Sequence, residues 1–318
     1  MPKSDKAKPQ PEEPQDPKGD GGRGLLSRAA LDRLLQLNRT KLSAHLTTAD
    51  QLERRDRGRQ AGRAPGGAGQ ATDLPSLCPG RAVETPHGSC YVIERTLGEI
   101  DPAQAGLDAE YHRTFLGGAM NVTEESLHRS VRPLIAALPQ GIAYLDIETC
   151  GMLGMPCFLA GLLVWRDERL VLVQVLARDY HEERAMLDRT WAMMDQVSTL
   201  VTFNGLSFDV PYIEDRAAAT GLGLRSLKAD HVDLLHESRR RWRGMLPNCR
   251  LQTLERFICG RLRRGDIPGD QIPSVYHEYV RTADARQMQV VLHHNALDLL
   301  TLAELTVCIL QGREADGL

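Results

Sequence analysis

The stretch Ile142-Ala143-Tyr144-Leu145-Asp146-Ile147-Glu148-Thr149 reads as a buried strand that ends in two acids. Side chains two apart on a strand point to the same side, so Asp146 and Glu148 share a face. Like charges in an apolar strand are costly unless something positive lies between them. The simplest positive group is a divalent metal ion with oxygen ligands. Further acids able to reach such an ion are therefore the first thing to seek in the rest of the chain.

Downstream, Pro156–Trp165 is a second apolar run, Arg166-Asp167-Glu168-Arg169 a polar turn and Leu170–Leu176 a third strand. The short turn favours a hairpin. Met186, Leu187, Trp191 and Met194 place a helix within His181–Val197. Thr199–Phe203 is a fourth strand, and Asp209–Ala219 a helix that Gly221 ends. From residue 231 to about Leu310 the pattern is mainly helical, with a loop at 266–273. This order predicts an α/β protein, a mixed sheet with helices on its faces.

Upstream, Arg81–Glu84 and Cys90–Glu94 flank Pro86-His87-Gly88-Ser89, a hairpin pattern. Cys78, His87 and Cys90 lie close together, but their spacing matches no common zinc pattern. Residues 98–137 read as connecting helices. Residues 1–24 are mostly Pro, Lys, Glu, Asp and Gly and predict a disordered tail. Leucines at roughly helical spacing in 25–58 predict one or two amphipathic helices, either packed on the main domain or a solvated arm, or else a docking or nucleic-acid arm. Residues 59–76 read as a flexible linker. The expected division is 1–76 as an extension, 77–138 as a hairpin and connecting segment, and 139–312 as the main domain.

The chain has 318 residues, 42% apolar and 25% charged, with a net charge of −3. That composition fits a globular protein and carries no overall nucleic-acid signature. Residues 1–70 hold 14 Lys and Arg against 9 Asp and Glu, so the remainder carries −8. An acidic body does not exclude a nucleic-acid enzyme, because metal ions offset clustered carboxylates. Seven cysteines with no C-x-x-C pair argue against a disulfide framework or a zinc ribbon. The start has no apolar signal region, and no apolar run reaches the roughly 20 residues that span a bilayer. The expectation is a cytoplasmic protein of a reducing compartment with no membrane partner.

Three further groups extend the acidic pair. Asp209 opens a helix just after the turn at Asn204-Gly205, where an acid can also be a simple cap. Asp298 lies in an apolar helical stretch and needs a partner there. His294 is one helical turn before it, and His293 five residues before it. Asp146, Glu148, Asp209 and Asp298 with a histidine suit two hydrolytic metal ions, magnesium or manganese rather than zinc. The histidine is the expected general base. Arg239-Arg240-Arg241-Trp242-Arg243 is either a solvated helix face or a groove, with Arg for phosphates and Trp242 stacking on a base. Asp233 orients the site or is structural, and Glu255 reads as a satisfied helix residue.

These residues resemble the DEDD superfamily of 3′→5′ exonucleases. Asp146-Ile147-Glu148-Thr149-Cys150-Gly151 matches D-x-E-T-x-G, Asn204 through Asp209 matches N-x-x-x-F-D, and His293 or His294 with Asp298 forms the third motif. More narrowly, residues 80–310 resemble the YprB-like bacterial exonucleases. The shared marks are His231-Val232-Asp233-Leu234-Leu235, Cys249 through Glu255, Asp266-Ile267-Pro268-Gly269 and His294-Asn295-x-x-Asp298. The resemblance implies an RNase-H-like fold and a metal-dependent exonuclease whose four acids hold two Mg2+ or Mn2+ ions. It also implies DNA more than RNA as substrate, with Asn204 at the nucleic acid, and a repair role beside a DNA helicase. Histidine-type members place the base where His293 stands and tyrosine-type members where His294 stands; the H-N-x-x-D pattern favours His294. Two alternatives stay open, an endonuclease of the same fold and a non-catalytic nucleic-acid-binding module. The presence of all four acids counts against the module.

Overall fold

The structure is a computed structural model that describes residues 47–60, 71–151, 154–263 and 265–313. The expected tail of 1–24 and most of the leucine-rich segment lie outside the described residues. Seven strands are β1 Arg81–Thr85, β2 Gly88–Thr96, β3 Ile142–Thr149, β4 Cys157–Arg166, β5 Arg169–Leu176, β6 Thr199–Thr202 and β7 Asp230–Asp233. They form one sheet in the order β1-β2-β5-β4-β3-β6-β7. The first five are antiparallel neighbours, while β6 runs parallel to β3 and β7 parallel to β6. The expected α/β mixed sheet is present, and the 81–96 hairpin supplies two of its strands.

The main helices are α1 Ala49–Gln60, α2 Leu107–Phe115, α3 Glu183–Met194, α4 Asp209–Ala219, α5 Leu234–Trp242, α6 Leu251–Phe257, α7 Ile272–Thr282 and α8 Arg286–Leu310. One expectation fails here. The sequence pattern predicts mainly helix from residue 231, whereas Asp230–Asp233 is a strand against β6. Four residues are too few to leave a readable two-residue period.

The strand β3 sits between β4 and β6, inside the sheet. Its alternation sorts its side chains. Ala143, Leu145 and Ile147 enter one apolar group with α3, α4 and α7. Ile142 and Tyr144 enter another with Trp242, Leu254 and the later turns of α8. Asp146 and Glu148 follow the parity of Ile142 and Tyr144, and so face α8. That helix runs 25 residues and is apolar on nearly every side, as a helix packed in a protein interior must be. His293, His294, Asp298 and Glu304 are the titratable exceptions along its middle.

Candidate active site

The site forms where β3 ends, α4 begins and α8 crosses above. Register places Asp146 opposite Gly161 of β4, and Glu148 opposite Leu159. A register shift at Glu148 and Thr149 ends the regular ladder just beyond the acids. The motif between β6 and α4 is set by Asp233, which is buried. Its carboxylate accepts from Asn204 N at 2.8 Å, Leu206 N at 3.4 Å and Leu235 N at 3.0 Å. Asn204 has φ 68°, a region that Asn tolerates better than most residues. Gly205 follows because a Cβ there would lie 2.5 Å from the Thr202 side chain. This turn delivers Asp209 to the first position of α4, where it is 6% exposed. Asp233 therefore holds the loop that carries Asp209.

The four acids act on one another. Burial first, then the charges of Asp298, Glu148 and Asp209, push Asp146 well above the ordinary aspartate range. Burial likewise pushes Glu148 up to about 8, with Asp298 and Asp209 adding to it and His294 opposing. Asp209 rises to about 7, chiefly through burial. A desolvated carboxylate without enough positive charge nearby behaves this way.

The structure brings His294 into this group. Its Nε2 lies 3.9 Å from Glu148 Oε1 and 3.5 Å from Asp298 Oδ2. Its Nδ1 lies 2.6 Å from Asp266 Oδ1. Burial alone would lower the His294 pKa, but the Asp266 hydrogen bond and the Asp298 and Glu148 charges raise it. Burial alone would raise Asp266, and its bond to His294 with the charges of His294 and Arg263 brings it down to about 2. His293, its neighbour on α8, does not share these bonds. Burial and the Arg95 charge lower its pKa, and no hydrogen bond joins it to any of the four acids.

Arg263 is the cation of the site. It pairs with Asp298, with Asp266 at 3.2 Å and with the buried Glu255 at 2.5 Å. Glu255 also pairs with Arg261 at 3.0 Å and accepts through Oε2 from Arg263 and Thr301, while its Oε1 is buried without a hydrogen bond. Asp266 stands in the Asp266-Ile267-Pro268-Gly269 motif, but its place beside His294, like that of Arg263 beside Asp298, is set across 28 and 35 residues of chain and leaves no local signal.

The donor set fits hard divalent cations: carboxylate oxygens, desolvated and mutually repelling, with one buried imidazole beside them. Among the described residues, no three His, Cys, Asp or Glu side chains are already drawn together as an ion-binding group. Cys78, His87 and Cys90 are no exception; burial pushes both thiols up, Cys90 to about 11.

The basic stretch needs correction. Trp242 is 2% exposed and packs in the core, so it offers no face to a base. Its spacing of four and eight residues from Ser238 and Leu234 sets it on the inner face of α5. Arg240 and Arg241 are tied to the buried Glu237 at 2.5 and 2.6 Å. Arg239 and Arg243 line an open cleft with Leu246, Asn248 and Cys249.

Comparison with known proteins decides the family. A profile of the RNase H superfamily matches residues 143–310. The chain belongs to the RNase H superfamily. Within it, the chain is 31% identical over 168 residues to the uncharacterized protein YprB of Bacillus subtilis (strain 168), a match covering 52% of this chain and 40% of that protein. The chain thus aligns with about two-fifths of the length of that relative. Among solved structures, the family B DNA polymerase from the hyperthermophilic archaeon Pyrobaculum calidifontis superposes with a TM-score of 0.44 and 16% identity, covering 54% of this chain and 25% of that one. RNase H-like nucleases generally use divalent metals. Among the described residues no helix is long and apolar enough to cross a membrane.

Proposed function

We propose that this RNase H-superfamily chain is a metal-dependent 3′→5′ exonuclease that hydrolyses phosphodiester bonds. The observation that carries the reading is the convergence of Asp146, Glu148, Asp209 and Asp298 beside His294. Asp146, Glu148, Asp209 and Asp298 would hold two ions, Mg2+ or Mn2+. When bound, such ions activate the attacking water and offset charge on the leaving oxygen.

His294 is the base. Asp266 accepts the Nδ1 proton, which leaves the Nε2 lone pair facing the acids. Nε2 then takes the proton of the attacking water. Arg263 balances Asp298 and Asp266 and keeps the His294 partner charged. Asn204, exposed at the turn before Asp209, contacts the strand end. Arg239 and Arg243 contact phosphates further along. DNA is the favoured substrate, in repair.

The test uses 5′-labelled single- and double-stranded DNA and RNA with Mn2+, Mg2+ or EDTA, alongside Asp146→Asn. A cation-dependent ladder of progressively shorter products, absent in the variant, is expected. Discrete internal cuts would replace the exonuclease by an endonuclease. Binding without cleavage under any condition would overturn the catalytic reading.

A further inference from the structure

We propose that Arg95, Gln174 and Asn295 form a buried relay that orients Asp146 toward the cations, making Asn295 a positioning residue. The proposal rests on the reading of Asp146 as a cation ligand.

The relay runs across the sheet from β2, over β5 and β4, to β3. Arg95 on β2 donates from Nη2 to Gln174 Oε1 at 2.7 Å. Gln174 on β5 donates from Nε2 to Asn295 Oδ1 at 2.8 Å and to Leu292 O at 2.8 Å. Asn295 on α8 donates from Nδ2 to Asp146 Oδ2 at 2.8 Å and to Asp146 O at 3.2 Å. Gln174 and Asn295 are both fully buried.

The direction of this chain is fixed at both ends. A guanidinium can only donate, so Gln174 must present its oxygen to Arg95. The Leu292 carbonyl can only accept, so the Gln174 amide nitrogen must face α8. Asn295 therefore accepts from Gln174, and its own nitrogen is left for Asp146. A flipped amide at either position would set oxygen against oxygen.

The relay also accounts for three residues that packing alone does not. Gln174 is polar within Leu172-Val173-Gln174-Val175-Leu176, an otherwise apolar core strand. Gly161 lies between Asp146 and Gln174 in register. A Cβ there would stand 2.2 Å from Asn295 Oδ1 and 2.5 Å from Leu299, so only glycine lets the amide settle on β4. The Arg95 hydrogen bonds go to Gln174 and, at 3.4 Å, to the Leu292 carbonyl rather than to a carboxylate, and its Nε is buried without a partner. Glu99 acts on it only at longer range, its carboxylate being held by Thr96. A buried polar group left in that condition is costly for a merely structural role.

The chemistry suits a cation ligand. Asn295 fixes one oxygen of Asp146 with a neutral donor, leaving the other free. A lysine or arginine in its place would compete with the cation for the carboxylate. The positive end of the relay is kept two amides away. Partners of this kind around metal ligands typically govern affinity by about ten- to a hundred-fold.

The experiment is Mn2+ titration by calorimetry on the full chain and on Arg95→Met, Arg95→Lys, Asn295→Ala and Asp146→Asn. Far-UV circular dichroism and Tm in EDTA are recorded for each. The expected result is Mn2+ binding weakened about tenfold or more in Arg95→Met and Asn295→Ala, restored toward wild type in Arg95→Lys, and lost in Asp146→Asn. If Asn295→Ala does not fold, the Arg95 pair decides. Wild-type affinity in folded Arg95→Met and Asn295→Ala, with Asp146→Asn defective, overturns the relay and leaves the cation site standing. No Mn2+ binding by the wild type, or wild-type binding by Asp146→Asn, overturns both.

Discussion

Glu183, buried, and Asp146, half-buried, are both carboxylates at the edge of apolar elements, yet their surroundings differ. Glu183 receives Arg216 through two hydrogen bonds of 2.7 and 2.6 Å and the Cys157 amide at 2.8 Å. Asp146 receives one neutral amide and faces three other acids. The first charge is answered from within the chain. The second is answered only in part, and the deficit is the mark of a site built for an outside cation. A buried acid alone therefore says little, whereas a buried acid whose partners are more acids points to function.

The comparison can be broken at either side. Asp146→Asn is expected to slow cation-dependent cleavage by about a thousand-fold or more, since metal stabilisation is worth several kcal/mol and each 1.36 kcal/mol is tenfold. Its Tm in EDTA should equal or exceed the wild type, because one of four repelling charges is gone. Arg216→Met is expected to do the reverse. It strands Glu183 and should cost about 3–5 kcal/mol in urea unfolding, while Mn2+ affinity of the folded protein is unchanged. Equal effects of both variants on stability would erase the distinction.

The two histidines sharpen the picture of the site. His294→Gln is expected to lower kcat by about a hundred-fold, the low end for a general base. His293→Gln should leave kcat within a few-fold, as single-turnover rates would show. The inverse result would move the base to His293.

The smallest effect concerns Glu237, a second internally answered acid. Burial would raise its carboxyl, but the hydrogen bonds from Arg240, Arg241 and the His128 amide bring it below the usual range. A depressed carboxylate stabilises the fold above its unfolded value and loses that contribution as pH falls through the folded one. Glu237→Gln should therefore cost about 1 kcal/mol at neutral pH. Its Tm should also fall less steeply than wild type between about pH 5 and pH 3, the window below the free carboxylate value.

The strand that decides the fold was readable because acids interrupt an apolar run at a two-residue period, a pattern few other arrangements produce. Asp298 was readable for a similar reason, being polar in an apolar helical stretch, and Asp209 by its place at a helix start just after the Asn204-Gly205 turn. Short range limited the rest. β7 is four residues long and leaves no period. Trp242 looked like a stacking residue because four arginines surround it, although Leu234, Ser238 and Trp242 already stood at helical spacing on one face. Asp266 and Arg263 lie in a loop without periodicity, and only folding brings them to His294 and Asp298. Gln174 did leave a signal, a lone amide inside an apolar strand, whose meaning depends on Asn295 arriving from 121 residues away.

The most direct test of the central claim is a thermal melt of wild type and Asp146→Asn, each in EDTA and in saturating Mn2+. A ligand that binds only the folded state at about 100 Kd adds roughly 2.7 kcal/mol. Mn2+ should therefore raise the wild-type Tm by several degrees and leave Asp146→Asn unmoved. An identical response of both proteins to Mn2+, whether a shift or none, would contradict the claim that the acids of β3 await a divalent cation.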